Sequence, residues 1–516
     1  RFEEKFGAKI IRYINNENIL KILNLSDEDF EKFLELFPDT QYTMTDLESA
    51  YDSLKQYEFS KTHPEVINIF PTILHAIEDN NNEIIFNSIN EIYIDYGFWQ
   101  GMYLNLICSN ENIPEGYDKW DTMKLLREYQ TNESKNNWGK ANVVFILSEA
   151  FSDLENIDEI KFNKPLTSNI NSYEKKENCK VFDLLVPTYG GGSVNSEFEV
   201  LTGASLSFWK SGFIAYTQYY NNEKVASAPN LIKEFNNNGY ETIYITPWGE
   251  ASYNSKFVYG LFGADKTIYG NNLNGENKGM YYSDKSLMED IYNELKTTSE
   301  GNYKFIMAAT GQNHFPYNGN NYTEYDIEIT KTEYNKENNR ILRNYAQGIY
   351  DADKELNNLY EKIQDLEVPT IIVFFGDHLP YTNDSTGFNP YLSSSYFQTS
   401  DEDLNYLRQY TTKAVILANY DIDIDDLSYI NASYLGAYVI NQMDLEISNY
   451  FKFVDNSRTI IPVYNRTIFY KNDAIYNHNE LETEMNTLKN YKYVQYGSFY
   501  DFINTLSFIY FILFYF

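Results

Sequence analysis

The chain has 516 residues, 43% of them apolar and 17% aromatic, which is enough for roughly two to four domains or one large α/β domain with additions, and is not the composition of a disordered protein. Its 74 Asp and Glu against 41 Lys and Arg leave a formal charge of −33. That excludes nucleic acid as a partner and disfavours simple electrostatic attachment to anionic lipid; an anionic substrate would need a local metal to override the field.

Residues 1–98 read as a helical accessory region. Ser26 caps Asp27-Glu28-Asp29, Phe30, Phe33, Leu34 and Phe37 follow at helical spacing, and Pro38 ends the run. Thr45 and Glu48 form a capping box for the next helix, and His63 and His75 read as ordinary histidines. A polar neck spans 99–140. From 141 to 455 strands alternate with helices: strands at 142–148, 241–246, 303–309, 368–375 and 412–418, with helices at 229–237, 286–296 and about 338–364 between them. Pro229 is expected in the first turn of its helix. Ile341, Tyr345, Ile349, Ala352, Leu356, Leu359 and Ile363 make one apolar face on the long helix. The pattern predicts an α/β domain, a mostly parallel sheet sandwiched by helices, with ligands at the carboxyl ends of its strands. Residues 456–516 read as a small α+β subdomain, with an antiparallel sheet, a helix around 479–489 and an apolar tail.

The tail, Leu506–Phe516, is shorter than the ~20 residues that cross a bilayer. It is expected to be an interrupted end packed on the surface, with a truncated membrane segment as the second reading. Starting at Arg1 rather than Met, the chain is expected to be a fragment or a processed form. Cys108 and Cys179 have neither metal-site spacing nor a disulfide framework and are expected to be buried free thiols.

Three of the predicted strands empty into residues that carry chemistry. Asn142–Ser148 runs into Glu149, the strand at 303–309 leads to His314, and the strand at 368–375 runs through Gly376 into Asp377-His378. Gly190-Gly191-Gly192 precedes Ser193 and leaves its hydroxyl uncrowded. Glu149, Asp377, His378 and the Ser193 oxygen form an oxygen-rich donor set suited to Mn²⁺ or Mg²⁺. Contact with a metal lowers the hydroxyl pKa, so Ser193 is expected to attack phosphorus and form a phosphoserine; His314 would protonate the leaving oxygen or hold a phosphate oxygen.

The segments Ile146–Asp153, Gly191–Gly203, Asn313–Tyr317 and Gly376–Tyr381 resemble the lipoteichoic acid synthase family, in the sulfatase-like branch of the alkaline phosphatase superfamily. The resemblance spans about 141 to 455. It implies a phosphoglycerol transferase at the extracellular face of the cell membrane, an ectodomain brought to the membrane surface by its parent protein. Such an enzyme takes glycerol phosphate from phosphatidylglycerol and passes it to polyglycerol phosphate or a glycan. By the same resemblance Glu149, Asp377 and His378 match the family's metal ligands, Ser193 its nucleophilic threonine, and His314 its pocket histidine. The phosphate pocket would be Thr246–Lys256, with Trp248, Tyr253 and Lys256 as substrate-binding residues; Thr246 and Ser255 stand where the family often has histidine and arginine. The rival readings are a phosphoethanolamine transferase or phosphodiesterase of the same superfamily, and a catalytically inactive envelope-binding ectodomain. A true sulfatase is disfavoured, because Val194-Asn195-Ser196-Glu197 follow Ser193 where a Pro-x-Arg context would be needed.

Overall fold

The computed structural model describes residues 113–129, 137–209, 212–220 and 223–502. The expectations for 1–98, Cys108 and 506–516 lie outside them. Described in chain order, the main strands are β1 (Asn142–Ser148), β2 (Cys179–Leu185), β3 (Glu241–Ile245), β4 (Lys266–Ile268), β5 (Lys304–Ala309), β6 (Thr370–Gly376), β7 (Thr411–Ala418) and β8 (Tyr429–Asn431). They form one 8-stranded sheet in the order β8-β2-β7-β6-β1-β5-β3-β4.

The centre of that sheet is β1, a run of β-branched and aromatic residues buried at every position, as a strand covered on both faces must be. It pairs in parallel with β6 on one side and β5 on the other. Ser148 sits level with Gly376, and Leu147 with Ala309, so these strands end at the same height. β3 and β4 continue the parallel set beyond β5. β7 runs antiparallel to both β6 and β2, while β8 is parallel to β2.

The helices include α1 (Lys119–Glu128), α2 (Ser193–Thr202), α3 (Leu231–Asn237), α4 (Asp284–Leu295), α5 (Lys336–Ile363) and α6 (Glu482–Tyr496). All seven residues of the apolar face expected on α5 are buried in the core beneath the sheet. Pro229 is not in the first turn of α3: Asn230 is the N-cap, and its side-chain oxygen accepts from the Lys233 N–H at 3.0 Å. An Asn cap satisfies an otherwise orphaned donor, which proline cannot do, so the helix starts two residues later, at Leu231.

Within the stretch read as a neck, α1 is capped by Asp118 and Trp138 is buried, donating its indole N–H to the Asp423 carbonyl. The expected C-terminal antiparallel sheet is three-stranded, made of Val463–Tyr464, Ile468–Lys471 and Ala474–Asn477, and α6 follows it. Cys179 is a free, partly buried thiol.

Candidate active site

The site lies where β1, β5 and β6 end together. On leaving β1 the backbone turns sharply: Ala150 sits at φ 50°, a left-handed conformation that costs a non-glycine residue of order 1 kcal/mol. Two hydrogen bonds hold it there. The Ala150 N–H donates to Asp377 Oδ1 at 2.8 Å, and the Tyr345 hydroxyl from α5 donates to the Ala150 carbonyl at 2.8 Å. The turn swings the Glu149 side chain inward, while its N–H donates to Thr310 Oγ1 at 2.9 Å.

On β6, Gly376 is required by space. A Cβ there would lie 2.0 Å from the Phe151 carbonyl oxygen, so a larger residue would push the strand end off the turn. Asp377 and His378 follow. Asp377 Oδ1 accepts from the Ala150 and His378 N–H groups, whereas its Oδ2 is buried without a hydrogen-bond partner. His378 Nδ1 lies 2.9 Å from the Leu379 carbonyl, which assigns the proton to Nδ1 and leaves the Nε2 lone pair facing the site. That Nε2 is 3.3 Å from Asp377 Oδ2 and 3.7 Å from Glu149 Oε1.

The fourth group arrives from a glycine turn. Gly190 and Gly192 adopt φ 69° and 79°, and Gly192 caps α2, whose first residue is Ser193. Two hydrogen bonds tie this turn to the Asp-His strand end: the Gly190 N–H to the Leu379 carbonyl at 3.0 Å, and Ser196 Oγ to the Asp377 carbonyl at 2.6 Å. Ser193 Oγ is thereby placed 3.4 Å from His378 Nε2.

Donor atoms from Glu149, Asp377 and His378 all lie within 4.8 Å of one another, and the three side chains are buried. Burial pushes the Glu149 carboxyl well above its ordinary pKa and the neighbouring Asp377 adds to that, while a hydrogen bond from Ser193 works the other way. Two carboxylates packed together out of water are costly unless a cation compensates them. A bare Asp377 Oδ2, a free imidazole lone pair and a hydroxyl converging on one point fit a divalent metal ion.

His314 lies beside this group, at the end of the loop after β5. Its Nδ1 is 2.7 Å from the Phe315 carbonyl, so Nδ1 carries the proton and Nε2 is a lone-pair acceptor. The Trp248 and Tyr281 rings contact it at 4.9 and 5.4 Å between centroids. Burial is the main reason its pKa falls below the usual histidine value, so the imidazole is neutral at pH 7.

The structure thus gathers Glu149, Ser193, Asp377 and His378, with His314 and Trp248 forming an aromatic wall beside them. Lys256 is exposed, its ammonium bonded to Glu250 Oε2 at 2.6 Å. Tyr253 is half-buried at φ 48°. Two residues escaped sequence reasoning. Tyr281 joins the wall from a short hairpin of two-residue strands that leaves no periodic signal. Glu197, one turn below Ser193 on α2, is buried and accepts from the hydroxyls of Tyr216 (2.7 Å) and Tyr259 (2.8 Å). An acid on the buried face of a short helix was its sequence signature.

The protein-family model described as Sulfatase matches residues 141–444, more than half of the chain. The chain belongs to the sulfatase family. It is 28% identical over 368 residues to the "Putative cyclic beta-1,2-glucan modification protein" of Rhizobium meliloti, an alignment that covers 70% of this chain and 55% of that protein. The chain therefore spans about half the length of that relative. Among solved structures it resembles the phosphoglycerol transferase GacH of Streptococcus pyogenes, with a TM-score of 0.61 and 23% identity over 75% of this chain and 94% of that one. The lipoteichoic acid synthase LtaP of Listeria monocytogenes gives a TM-score of 0.50 and 17% identity over 74% of this chain and 98% of that one. These likenesses establish the alkaline phosphatase/sulfatase-like fold expected from the sequence.

Proposed function

We propose that the chain transfers a glycerol phosphate group from a phosphatidylglycerol-like lipid to a cell-envelope polymer or glycan through a phosphorylated Ser193. The observation that carries this reading is the Ser193 hydroxyl, 3.4 Å from His378 Nε2 at the first turn of α2, facing buried Glu149 and the unpartnered Asp377 Oδ2. The likeness of the fold to a phosphoglycerol transferase and a lipoteichoic acid synthase supports the choice of donor.

Glu149, Ser193, Asp377 and His378 would hold Mn²⁺ or Mg²⁺, which supplies positive charge to acidify the serine hydroxyl and to offset charge on the phosphoryl oxygens. Ser193 Oγ attacks phosphorus, the bond to the diacylglycerol oxygen breaks, and diacylglycerol leaves carrying the proton that the serine lost. An acceptor hydroxyl then attacks the phosphoserine and Ser193 is regenerated. His314, neutral with its Nε2 lone pair free, is the base that takes the acceptor's proton, and that proton passes to the departing Ser193 oxygen, restoring both groups. The first-turn amides of α2 favour the negative phosphoryl group. The setting in this reading is the extracellular face of the cell membrane, reached through the parent protein; among the described residues no helix is long and apolar enough to cross a membrane.

One observation favours a second head group. Lys256 is tied to Glu250 and leaves the pocket wall to the Trp248 and Tyr281 rings, which suit the cation of phosphoethanolamine. Release of diacylglycerol from short-chain phosphatidylglycerol and phosphatidylethanolamine, compared in Mn²⁺ for wild type and Ser193→Ala, decides between them. Serine-dependent release from phosphatidylglycerol is expected; release from phosphatidylethanolamine alone selects the second reading, and release from neither contradicts both.

A further inference from the structure

A concavity of about 260 Å³ opens beside the Trp248 and Tyr281 rings, both of which also contact His314. Its side chains are Trp248, Tyr281, Tyr282, Met280, Asn271 and Asn277, and glycines and Pro247 complete the lining. The glycines allow the close fit: a Cβ at Gly270 would lie 2.2 Å from the Pro247 carbonyl oxygen, and one at Gly311 would lie 3.1 Å from the Trp248 indole.

The chemistry of the lining is unusual for this chain. On a protein of net charge −33, no charged side chain among the described residues lines the cleft. The tyrosine hydroxyls are already committed, Tyr281 donating to the Phe315 carbonyl at 2.7 Å and Tyr282 to Asp290 at 2.6 Å, so both rings are fixed in place. The side-chain amides of Asn271 and Asn277 are exposed, and neither they nor the N–H of the half-buried Trp248 indole makes a hydrogen bond to any other described residue. What the cleft offers a ligand is therefore aromatic and thioether surface, amide donors and acceptors, and no ionic partner.

A sugar ring matches that offer. Its C–H face packs on an aromatic ring, and its hydroxyls pair with amides that both donate and accept. A phosphate chain would find no cation here, and an ammonium would find ring faces but no carboxylate to pair with. We propose that this cleft binds an uncharged sugar residue of a glycan, and that this glycan is the acceptor for the group carried on Ser193. The acceptor role rests on the phosphotransfer reading above; the binding of sugar does not. Sugar in the cleft shares the Trp248–Tyr281 wall with the base His314, which is how a hydroxyl of the same glycan would be presented for reaction.

The test is calorimetric titration of the Mn²⁺-loaded protein with neutral hexasaccharides (β-1,3-glucan, β-1,4-glucan and chitohexaose), with poly(glycerol phosphate) and choline as charged probes. At least one neutral saccharide should bind, and the Asn271→Ala/Asn277→Ala double variant and Met280→Arg should each weaken it at least tenfold without a change in melting temperature. Absence of neutral saccharide binding, unchanged affinity in both variants, or binding of the charged probes alone would overturn the proposal. Formation of the Ser193 adduct from phosphatidylglycerol is measured on the same wild-type preparation. An adduct without saccharide binding removes the cleft and leaves phosphotransfer standing; saccharide binding without an adduct leaves the sugar site and removes its acceptor role.

Discussion

Asp377 divides its work between two oxygens. Oδ1 is saturated by the Ala150 and His378 N–H groups and fixes the strained turn that aims Glu149; Oδ2 is bare and faces the site. Asp377→Asn should therefore abolish metal retention, taking bound Mn²⁺ after dialysis from about one per chain to below ~0.1, since carboxylate ligands are what a hard cation selects. Retention of full metal content by that variant would show that the ion sits elsewhere. At His314 the expected pH effect follows from burial. Its pKa is held below the usual histidine value, so the neutral base is present at pH 7 and is lost as pH falls through that lowered value. The transfer rate should fall on the acid side below about pH 6.5, and that limb should vanish in His314→Gln together with a rate loss of roughly 10²–10⁴. Lys256 is predicted to matter little: exposed and paired with Glu250, it should cost less than about threefold in rate when changed to alanine, the scale of a surface ion pair.

At the scale of elements, the site depends on what lies beneath α2. Burial raises the Glu197 carboxyl to about 7, against the pull of hydrogen bonds from Tyr216 and Tyr259. Folded protein then holds this proton more tightly than the unfolded chain does. Its contribution to stability is complete near the unfolded carboxyl value and is lost as pH rises through about 7. Glu197→Gln keeps an oxygen for both tyrosines and removes the titration. Denaturant unfolding should show the variant more stable than wild type near pH 8, by up to ~3 kcal/mol, and no such gain near pH 4.5. Equal slopes with pH for the two proteins would contradict this account of α2.

The elements also show what the sequence could disclose. β1, β5 and β6 were legible because strands buried on both faces are continuous apolar runs, and α5 because its apolar face recurs at helical spacing. β2 was not, since Cys179-Lys180-Val181-Phe182-Asp183 mixes polar and apolar residues; its neighbour β7 was read as a strand without its antiparallel sense. β4 and β8 have three residues each, too few for any period. The residues proposed to be catalytic could be picked out as candidates because each follows an apolar run or a glycine turn. Tyr281 and the cleft beside it were not, because they arise from loops whose meeting is a property of the folded chain.

For the whole molecule, the sheet acts as a level platform: strands from distant parts of the chain end in register, and the groups at those ends meet without any of them being close in sequence. Folding therefore builds the candidate metal site of Glu149, Asp377 and His378, and metal binding there should in turn stabilise the fold. Saturating Mn²⁺ should add about 2.7 kcal/mol at a hundredfold excess over Kd, visible as a rise of several degrees in melting temperature for wild type and absent for Asp377→Asn. The division into a catalytic domain at 141–455 and a C-terminal subdomain at 456–516 remains our proposal, as does a separate helical region at 1–98; limited proteolysis followed by mass analysis of the fragments would test both.

The central claim is that Ser193 is the nucleophile of a phosphoglycerol transfer. Its most direct test is the intact mass of the protein after brief incubation with Mn²⁺ and short-chain phosphatidylglycerol, for wild type, Ser193→Thr and Ser193→Ala. A glycerophosphoryl mass added to the wild type and to Ser193→Thr, mapped to that residue and missing from Ser193→Ala, is the predicted result. Metal-loaded wild type that gains no mass while releasing no diacylglycerol, or an adduct that persists in Ser193→Ala, would contradict it.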